Sequence, residues 1–124
     1  MHSVGVDAVE IDRISRSLER FGERFLRRVY TEKEIFFCRG RVPELAARFA
    51  AKEAISKALG TGIRGIVWRE MEILPDRRGK PLVYLHGKAE SRAAELGLAE
   101  FEVSLTHSRE LAIAVVVAAS TPGG

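Results

Sequence analysis

The segment 49–59 constrains the fold more than any other part of the chain. Alanine and large aliphatic residues occupy almost every face of the helix that it predicts. A helix that is apolar nearly all round is a buried one. We therefore expect the other elements of the chain to pack around this helix.

Two carboxylates lie within apolar surroundings. Glu53 falls in the buried helix, and Asp7 falls in the apolar run 4–9, which predicts a buried strand. An isolated buried carboxylate costs several kcal/mol or more unless a proton, a counter-charge or a metal ion neutralises it. Mg²⁺ usually takes only one or two protein carboxylates together with substrate phosphates, so the pair predicts a magnesium site that handles phosphate. Mn²⁺ prefers the same ligands.

Each candidate also has a purely structural interpretation, which the sequence leaves open. Glu53 precedes Lys57 by one helical turn, the favourable orientation of an ordinary helix ion pair. Asp7 can accept backbone hydrogen bonds at a strand end. His107 lies at a predicted hairpin turn, where an exposed polar residue is common. The Gly-Thr-Gly segment 60–62 is too short to count as a phosphate loop.

Length and composition favour a single soluble domain. The chain has 124 residues, of which 46% are hydrophobic and 30% charged, and no apolar run approaches the roughly 20 residues of a membrane span. The N-terminus lacks the features of a signal peptide. Cys38 is the only cysteine, which excludes an intrachain disulfide and a cysteine metal cluster. We expect a cytoplasmic protein with a domain at 1–120 and a frayed tail at 121–124.

The residue patterns predict an α+β domain with the order strand, helices, two strands, helix, two strands. Glycine, proline and capping residues mark the ends of the predicted elements. The predicted strands are 3–9, 67–74, 81–86, 101–105 and 111–119. The predicted helices are an amphipathic one carrying Ile14, Leu18 and Phe21, then 23–29, then one from the Thr31 capping box through Phe37, then 43–59 and 87–96.

Arginines recur at helical intervals near the N-terminus. They form one row if the first helix continues through Gly22, and they are Arg13, Arg16, Arg20, Arg24 and Arg27. Two interpretations remain open, a solvated charged face and a docking strip for an acidic partner. The net charge of +3 permits a polyanionic partner but is too small to identify one.

Several sequence blocks together resemble one family over nearly the whole chain. The blocks are Gly5-Val6-Asp7 with Ile11-Asp12-Arg13, Arg48-Phe49-Ala50-Ala51-Lys52-Glu53-Ala54, Lys57-Ala58-Leu59-Gly60-Thr61-Gly62, Gly79-Lys80-Pro81 and Val103-Ser104-Leu105-Thr106-His107-Ser108. They closely resemble the holo-acyl-carrier-protein synthases, the small bacterial 4′-phosphopantetheinyl transferases. Val9 stands where the larger, two-lobed transferases have a second acid, which favours the small type. Ala8 and Ser108 are milder departures that concern local packing and hydrogen bonding.

The resemblance implies a fold, an assembly and a set of site residues. It implies one long buried helix packed on an antiparallel-rich sheet, in a homotrimer with sites at the subunit interfaces. Asp7 and Glu53 match positions that bind magnesium. The positions that match the coenzyme A site are Arg48, Lys57, Gly60 and His107.

The implied reaction transfers 4′-phosphopantetheine from coenzyme A to a serine of apo-acyl carrier protein, for fatty acid biosynthesis. Adenosine 3′,5′-bisphosphate leaves, and Lys57 and His107 supply positive or donor groups. Glu53 is our first choice for the base that takes the serine proton, and His107 is the second. The arginines expected to dock the acidic carrier protein are Arg13, Arg16 and Arg20.

Two other functions fit parts of the sequence less well. A noncatalytic nucleic-acid-binding module would use the arginine row, but the chain lacks interleaved basic and aromatic residues. A magnesium-dependent phosphotransferase that uses another nucleotide would share the two carboxylates. A mass measurement of apo-acyl carrier protein after incubation with coenzyme A and magnesium distinguishes the transferase from both alternatives, because only the transferase adds phosphopantetheine.

Overall fold

A computed structural model describes residues 1–60 and 65–121. The helices are α1 (Ile11–Phe21), α2 (Glu23–Val29), α3 (Glu32–Cys38), α4 (Val42–Leu59) and α5 (Gly87–Glu95), with a short 3-10 helix at Trp68–Glu70. The strands are β1 (His2–Glu10), β2 (Met71–Pro75), β3 (Pro81–Leu85), β4 (Glu100–His107) and β5 (Leu111–Ala119).

The strands form two antiparallel sheets. One has the order β1-β5-β4, and the other is the β2-β3 hairpin. In the three-stranded sheet, Asp7 of β1 pairs with Ala114 of β5, and His107 of β4 pairs with Ala112. The predicted α+β class, with antiparallel strands and a hairpin near residue 77, is confirmed.

Helix α4 spans 18 residues and packs on the three-stranded sheet. The close approach of strand and helix depends on Gly5, because a Cβ atom there would lie only 1.8 Å from the Ala54 carbonyl oxygen. Alanines at positions 54 and 58 face the strand at this crossing. Small residues on both elements therefore bring Asp7 of β1 next to the second half of α4.

Lys52 of α4 joins three other elements from inside the core. Its ammonium lies 2.8 Å from Glu34 of α3, and both side chains are fully buried. It also donates to the carbonyls of Trp68 and Met71. Glu34 in turn accepts a hydrogen bond from the backbone N–H of Ile73 on β2. This cluster fixes α4 relative to α3, the 3-10 helix and β2.

The structure corrects several element boundaries. The predicted strand 67–74 starts with the 3-10 helix, and Thr106 and His107 belong to β4 rather than to the turn. Helix α1 ends at Gly22, whose φ of 55° breaks the helix, so the five arginines do not share one helix. Phe21 is half-exposed instead of buried. The predicted features at 61–62 and 122–124 lie outside the described residues.

Within residues 1–60 and 65–121, no helix is both long enough and apolar enough to cross a bilayer.

Candidate active site

Asp7 and Lys57 meet at the crossing of β1 and α4. The Lys57 ammonium lies 3.2 Å from Asp7 Oδ1 and donates to the Val6 carbonyl at 3.0 Å. The lysine side chain is 56% exposed, whereas that of Asp7 is 16% exposed. The carboxylate is therefore held in the fold while the ammonium remains accessible to an anion from solvent.

Glu53 lies on the same helix face as Lys57, one turn earlier. Partial burial raises the pKa of Glu53 above its ordinary value, and the negative charge of Asp7 raises it further. The charges of Arg13 and Lys57 oppose this rise. Four ionisable groups therefore share one electrostatic environment, and Glu53 is the member whose proton affinity is increased.

Asp7 and Glu53 fit a divalent cation. A divalent cation held by both carboxylates would offset their mutual repulsion, and Mg²⁺ needs few protein carboxylates because it retains waters and binds substrate phosphates. Among the described residues, no cluster of three or more histidine, cysteine, aspartate or glutamate side chains forms a larger metal site. The donor set suits Mg²⁺ with phosphate better than a metal held by protein alone.

Arg48 and His107 line a separate open cleft of about 370 Å³, which lies between α4, β4 and the β2-β3 turn. Arg48 is almost fully buried there, with its guanidinium bonded to the Ile73 carbonyl at 3.1 Å and to Glu44 at 3.0 Å. His107 is exposed, and its Nδ1 lies 3.3 Å from the Ser108 carbonyl oxygen. The turn contributes Arg77, whose positive charge suits an anionic ligand.

The two groups of residues do not share a cavity in one chain. Neither Asp7, Glu53 nor Lys57 lines the cleft that contains His107. Asp7 and His107 are separated by strand β5, which places their Cα atoms roughly 12 Å apart for strands spaced by about 4.8 Å. Within one chain, Asp7 and Lys57 therefore share their site with Glu53 and not with His107.

The remaining predicted residues lie near the Asp7–Glu53–Lys57 cluster or on helix α1. Gly60 follows the last turn of α4 with a positive φ of 84°, three residues beyond Lys57. Arg13 stacks over Phe49 at 5.5 Å and lies close enough to act on Glu53. Arg16 pairs with Asp12 on the exposed side of α1, and Arg20 stacks over Phe21.

Sequence reasoning missed the cleft and the buried pair. The block 79–81 marks the β2-β3 turn, but nothing in the sequence places that turn beside His107. Lys52 stands next to Glu53 in the same block, and no sequence pattern indicates a partner for it. Its partner Glu34 was identified only as part of the capping box that begins at Thr31, which the structure shows in full.

Comparison with known proteins assigns the chain to a family. The chain belongs to the 4′-phosphopantetheinyl transferase superfamily, whose family model matches residues 3–116. The holo-[acyl-carrier-protein] synthase of Herpetosiphon aurantiacus is 53% identical over 120 residues, which cover 91% of this chain and 94% of that protein.

Solved structures agree with this assignment. The crystal structure of holo-[acyl-carrier-protein] synthase from Neisseria meningitidis superposes with a TM-score of 0.86 at 35% identity, covering 95% of this chain and 98% of that one. The Helicobacter pylori synthase, crystallised in complex with coenzyme A, gives a TM-score of 0.85 at 32% identity, covering 94% and 99%. These structures share the α+β fold with an antiparallel sheet that was expected from the resemblance.

Proposed function

We infer that the protein is a holo-[acyl-carrier-protein] synthase, which transfers 4′-phosphopantetheine from coenzyme A to a serine of apo-acyl carrier protein. The observation that carries this inference is the cluster of Asp7, Glu53 and Lys57 at the crossing of β1 and α4, in a chain of this superfamily. The cluster combines oxygen ligands for a cation with an accessible ammonium for a phosphate.

The reaction is a phosphoryl transfer. The serine oxygen attacks the β-phosphorus of coenzyme A, a new P–O bond forms, and the bond to adenosine 3′,5′-bisphosphate breaks. Asp7 and Glu53 would hold Mg²⁺, which when bound neutralises charge on the pyrophosphate oxygens. Lys57 offers its exposed ammonium to the same oxygens.

Glu53 is the proposed base for the serine proton. The Glu53 carboxylate shares the site with Asp7 and Lys57, and it can accept this proton directly or through a water molecule. His107 lies on the other side of β5 within its own chain. It is proposed to contribute to coenzyme binding together with Arg48 and Gly60.

The site is proposed to form between subunits of a homotrimer. The outward face of the three-stranded sheet carries four exposed valines, and they pair across β1 and β5 as Val4 with Val117 and Val6 with Val115. Val4 and Val6 are 62% and 53% exposed, and a contiguous exposed apolar patch of this kind is typical of a protein–protein contact. A neighbouring subunit that covers this face can bring its Arg48–His107 cleft to the Asp7–Glu53 cluster.

Acyl carrier protein is proposed to dock on α1 and α2. Arg13, Arg16 and Arg20 project from α1, and an apolar groove beside them offers a surface for a helix of an acidic partner. The groove is lined by Phe21, Phe25, Phe49 and Trp68, with Arg24 and Arg28 among its other residues. Phe49, on which Arg13 stacks, lines the groove and lies one helical turn before Glu53 on α4.

These functions are consistent with a cytoplasmic enzyme of fatty acid biosynthesis, and we propose that residues 1–120 form its one domain. The buried thiol of Cys38 has its pKa raised to about 11 by burial, opposed mainly by the charge of Arg48, and it suits a reducing compartment.

The direct test is mass spectrometry of apo-acyl carrier protein incubated with this protein, coenzyme A and Mg²⁺. We expect the mass of one phosphopantetheine to be added, and no addition when the metal is chelated. A carrier protein whose serine is replaced by alanine is the control. An unmodified carrier protein under all metal conditions would contradict the function.

The interface site has its own test. The variants Glu53→Ala and His107→Ala are each expected to be inactive or nearly so, and a mixture that is unfolded and refolded together should regain activity because hybrid trimers rebuild some intact sites. Light scattering should give the mass of three chains. A monomer, or a mixture with no regained activity, would contradict the shared site.

A further inference from the structure

The last turn of α4 is held by two side chains from distant parts of the chain. Helices end with carbonyl groups that have no partner inside the helix. Here the Ala58 carbonyl accepts a hydrogen bond from Ser3 Oγ of β1 at 2.6 Å, and the Leu59 carbonyl accepts one from Arg92 Nε of α5 at 3.2 Å. We call Ser3 and Arg92 the end clamp of α4.

Ser3 joins the helix to the strand that carries Asp7. It precedes Gly5, where β1 makes its closest approach to α4, and the Ser3 hydroxyl is partly buried in this contact. The hydrogen bond therefore links β1 and α4, the two elements that supply the Asp7–Lys57 pair. It lies before Asp7 along the strand and after Lys57 along the helix.

Arg92, on helix α5, holds the same last turn of α4. Its side chain is 27% exposed, and its Nη1 lies 3.4 Å from Glu95, so that the guanidinium is oriented by its own helix. A positive group at a helix C-terminus also interacts favourably with the partial negative charge there. A second guanidinium nitrogen lies beside Gly60, at 3.7 Å from the position a Cβ atom would take.

We propose that Ser3 and Arg92 are positioning residues for the transfer reaction, which act by holding the last turn of α4 so that the Lys57 ammonium stays at Asp7. The clamped carbonyls belong to the two residues that follow Lys57. If this turn frays, Lys57 loses its fixed starting position, and a misplacement of about 1 Å in a reacting site can reduce the rate about 100-fold. The inference depends on the proposed role of Lys57.

The test compares the variants Arg92→Met and Ser3→Ala with more conservative ones. We expect Arg92→Met to lower kcat roughly tenfold, which is less than the loss of about 100-fold expected for a misplacement of about 1 Å. The KM for the carrier protein should be unchanged. Arg92→Lys and Ser3→Thr, which retain a donor, should recover most of the loss. Arg69→Met, at an exposed arginine, and Ser91→Ala, whose hydroxyl bonds within α5, are the matched controls.

A double variant separates positioning from general weakening of the fold. In the Lys57→Met background, Arg92→Met should change kcat less than about twofold, because the group it positions is already absent. The proposal would be overturned if Arg92→Met lowered kcat by the same factor in the unsubstituted protein and in the Lys57→Met variant. It would also be overturned if kcat were unchanged in both Arg92→Met and Ser3→Ala. If the unsubstituted protein transfers no phosphopantetheine, the function itself fails, which is a distinct outcome.

Discussion

Helix α4 carries two lysine–carboxylate pairs that differ in nearly every physical respect. Lys52 and Glu34 are both 0% exposed and lie 2.8 Å apart, whereas Lys57 and Asp7 are 56% and 16% exposed and lie 3.2 Å apart. The three donors of the Lys52 ammonium all bond to fixed protein acceptors. Burial lowers the pKa of Lys52, although the Glu34 carboxylate opposes that shift.

The difference shows how one helix serves both structure and chemistry. A sealed pair cannot exchange its partner for a ligand, so Lys52 holds elements together. An open pair can release its ammonium to a phosphate, since water already reaches it. The two lysines stand five positions apart, so α4 presents one to the core and the other to the candidate site.

The largest expected effect is on activity at the open site. Asp7→Ala and Glu53→Ala should each reduce transfer by about 10³-fold or more, because a metal ion held by the two carboxylates, as proposed, would supply several kcal/mol of charge stabilisation. The circular dichroism spectrum and the oligomer should be unchanged. Glu100→Ala, at an exposed acid, is the control. Near-normal activity of either variant at limiting Mg²⁺ would contradict the assignment.

The sealed pair should affect stability instead. Lys52→Met leaves the Glu34 carboxylate buried without its counter-charge, and we expect the free energy of unfolding to fall by about 3–5 kcal/mol. Urea denaturation measures the change. Adding Glu34→Gln, which removes the charge but keeps an acceptor for the Ile73 N–H, should restore part of it. If Lys52→Met lowered the free energy of unfolding by less than about 1 kcal/mol, the buried pair would contribute no more to stability than an exposed pair does.

Lys57→Met gives the matched measurement at the open pair. Because the pair is accessible to water, stability should change by less than about 1 kcal/mol. The rate of transfer should fall by about 100-fold, the typical effect of losing one group that stabilises transition-state charge. Steady-state kinetics and urea denaturation on the same samples provide both numbers. A variant with an unaffected rate would show that Lys57 serves only as the ion-pair partner of Asp7.

A smaller effect is expected where charge lies wholly on the surface. Arg16→Glu combined with Arg20→Glu should raise KM for the carrier protein by roughly tenfold and flatten its salt dependence, because exposed charges act mainly by steering. Affinity for coenzyme A should be almost unchanged. Arg69→Glu is the control. Equal losses for both substrates would place these arginines in the coenzyme site or in the fold, and no loss would make them a solvated face.

The smallest effect concerns protonation of Glu53 in the metal-free protein. Its pKa in the folded chain is raised, so the folded state binds more protons than the unfolded state between the ordinary and the raised value, and stability falls as pH rises through that window. Asp7→Asn removes one cause of the rise and should flatten the fall. Denaturation at a series of pH values tests this, and a profile unchanged by Asp7→Asn would show that burial alone acts.

Local patterns were sufficient to predict most elements. Helix α2 at Glu23–Val29 and strand β5 at Leu111–Ala119 have the predicted ends, and the capping box at Thr31 is present. The prediction was wrong where packing overrides pattern. Val67 to Glu70 was included in the predicted strand 67–74, but the hydrogen bonds of Lys52 and Glu70 favour a short 3-10 helix there.

The site was predictable only in part, for a similar reason. Asp7 and Glu53 are conspicuous as charges in apolar segments, and Glu53 and Lys57 share a helix face by periodicity alone. Arg48 looks like any other motif arginine in sequence, yet the structure buries its guanidinium against Ile73 and Glu44. Burial and partner choice depend on elements distant in sequence, which no local pattern specifies.

The sequence by itself determined the buried helix, the two embedded carboxylates, the α+β class and the family, since each depends on residue type and local spacing. Tertiary structure decided which lysine is sealed and which is open, and it separated Arg48 and His107 from Asp7, Glu53 and Lys57. The physical reason is that exposure and distance depend on how β1, β4 and α4 pack. The need for glycine at position 5 is evident only in the folded chain, where the Ala54 carbonyl of α4 lies against Gly5 of β1.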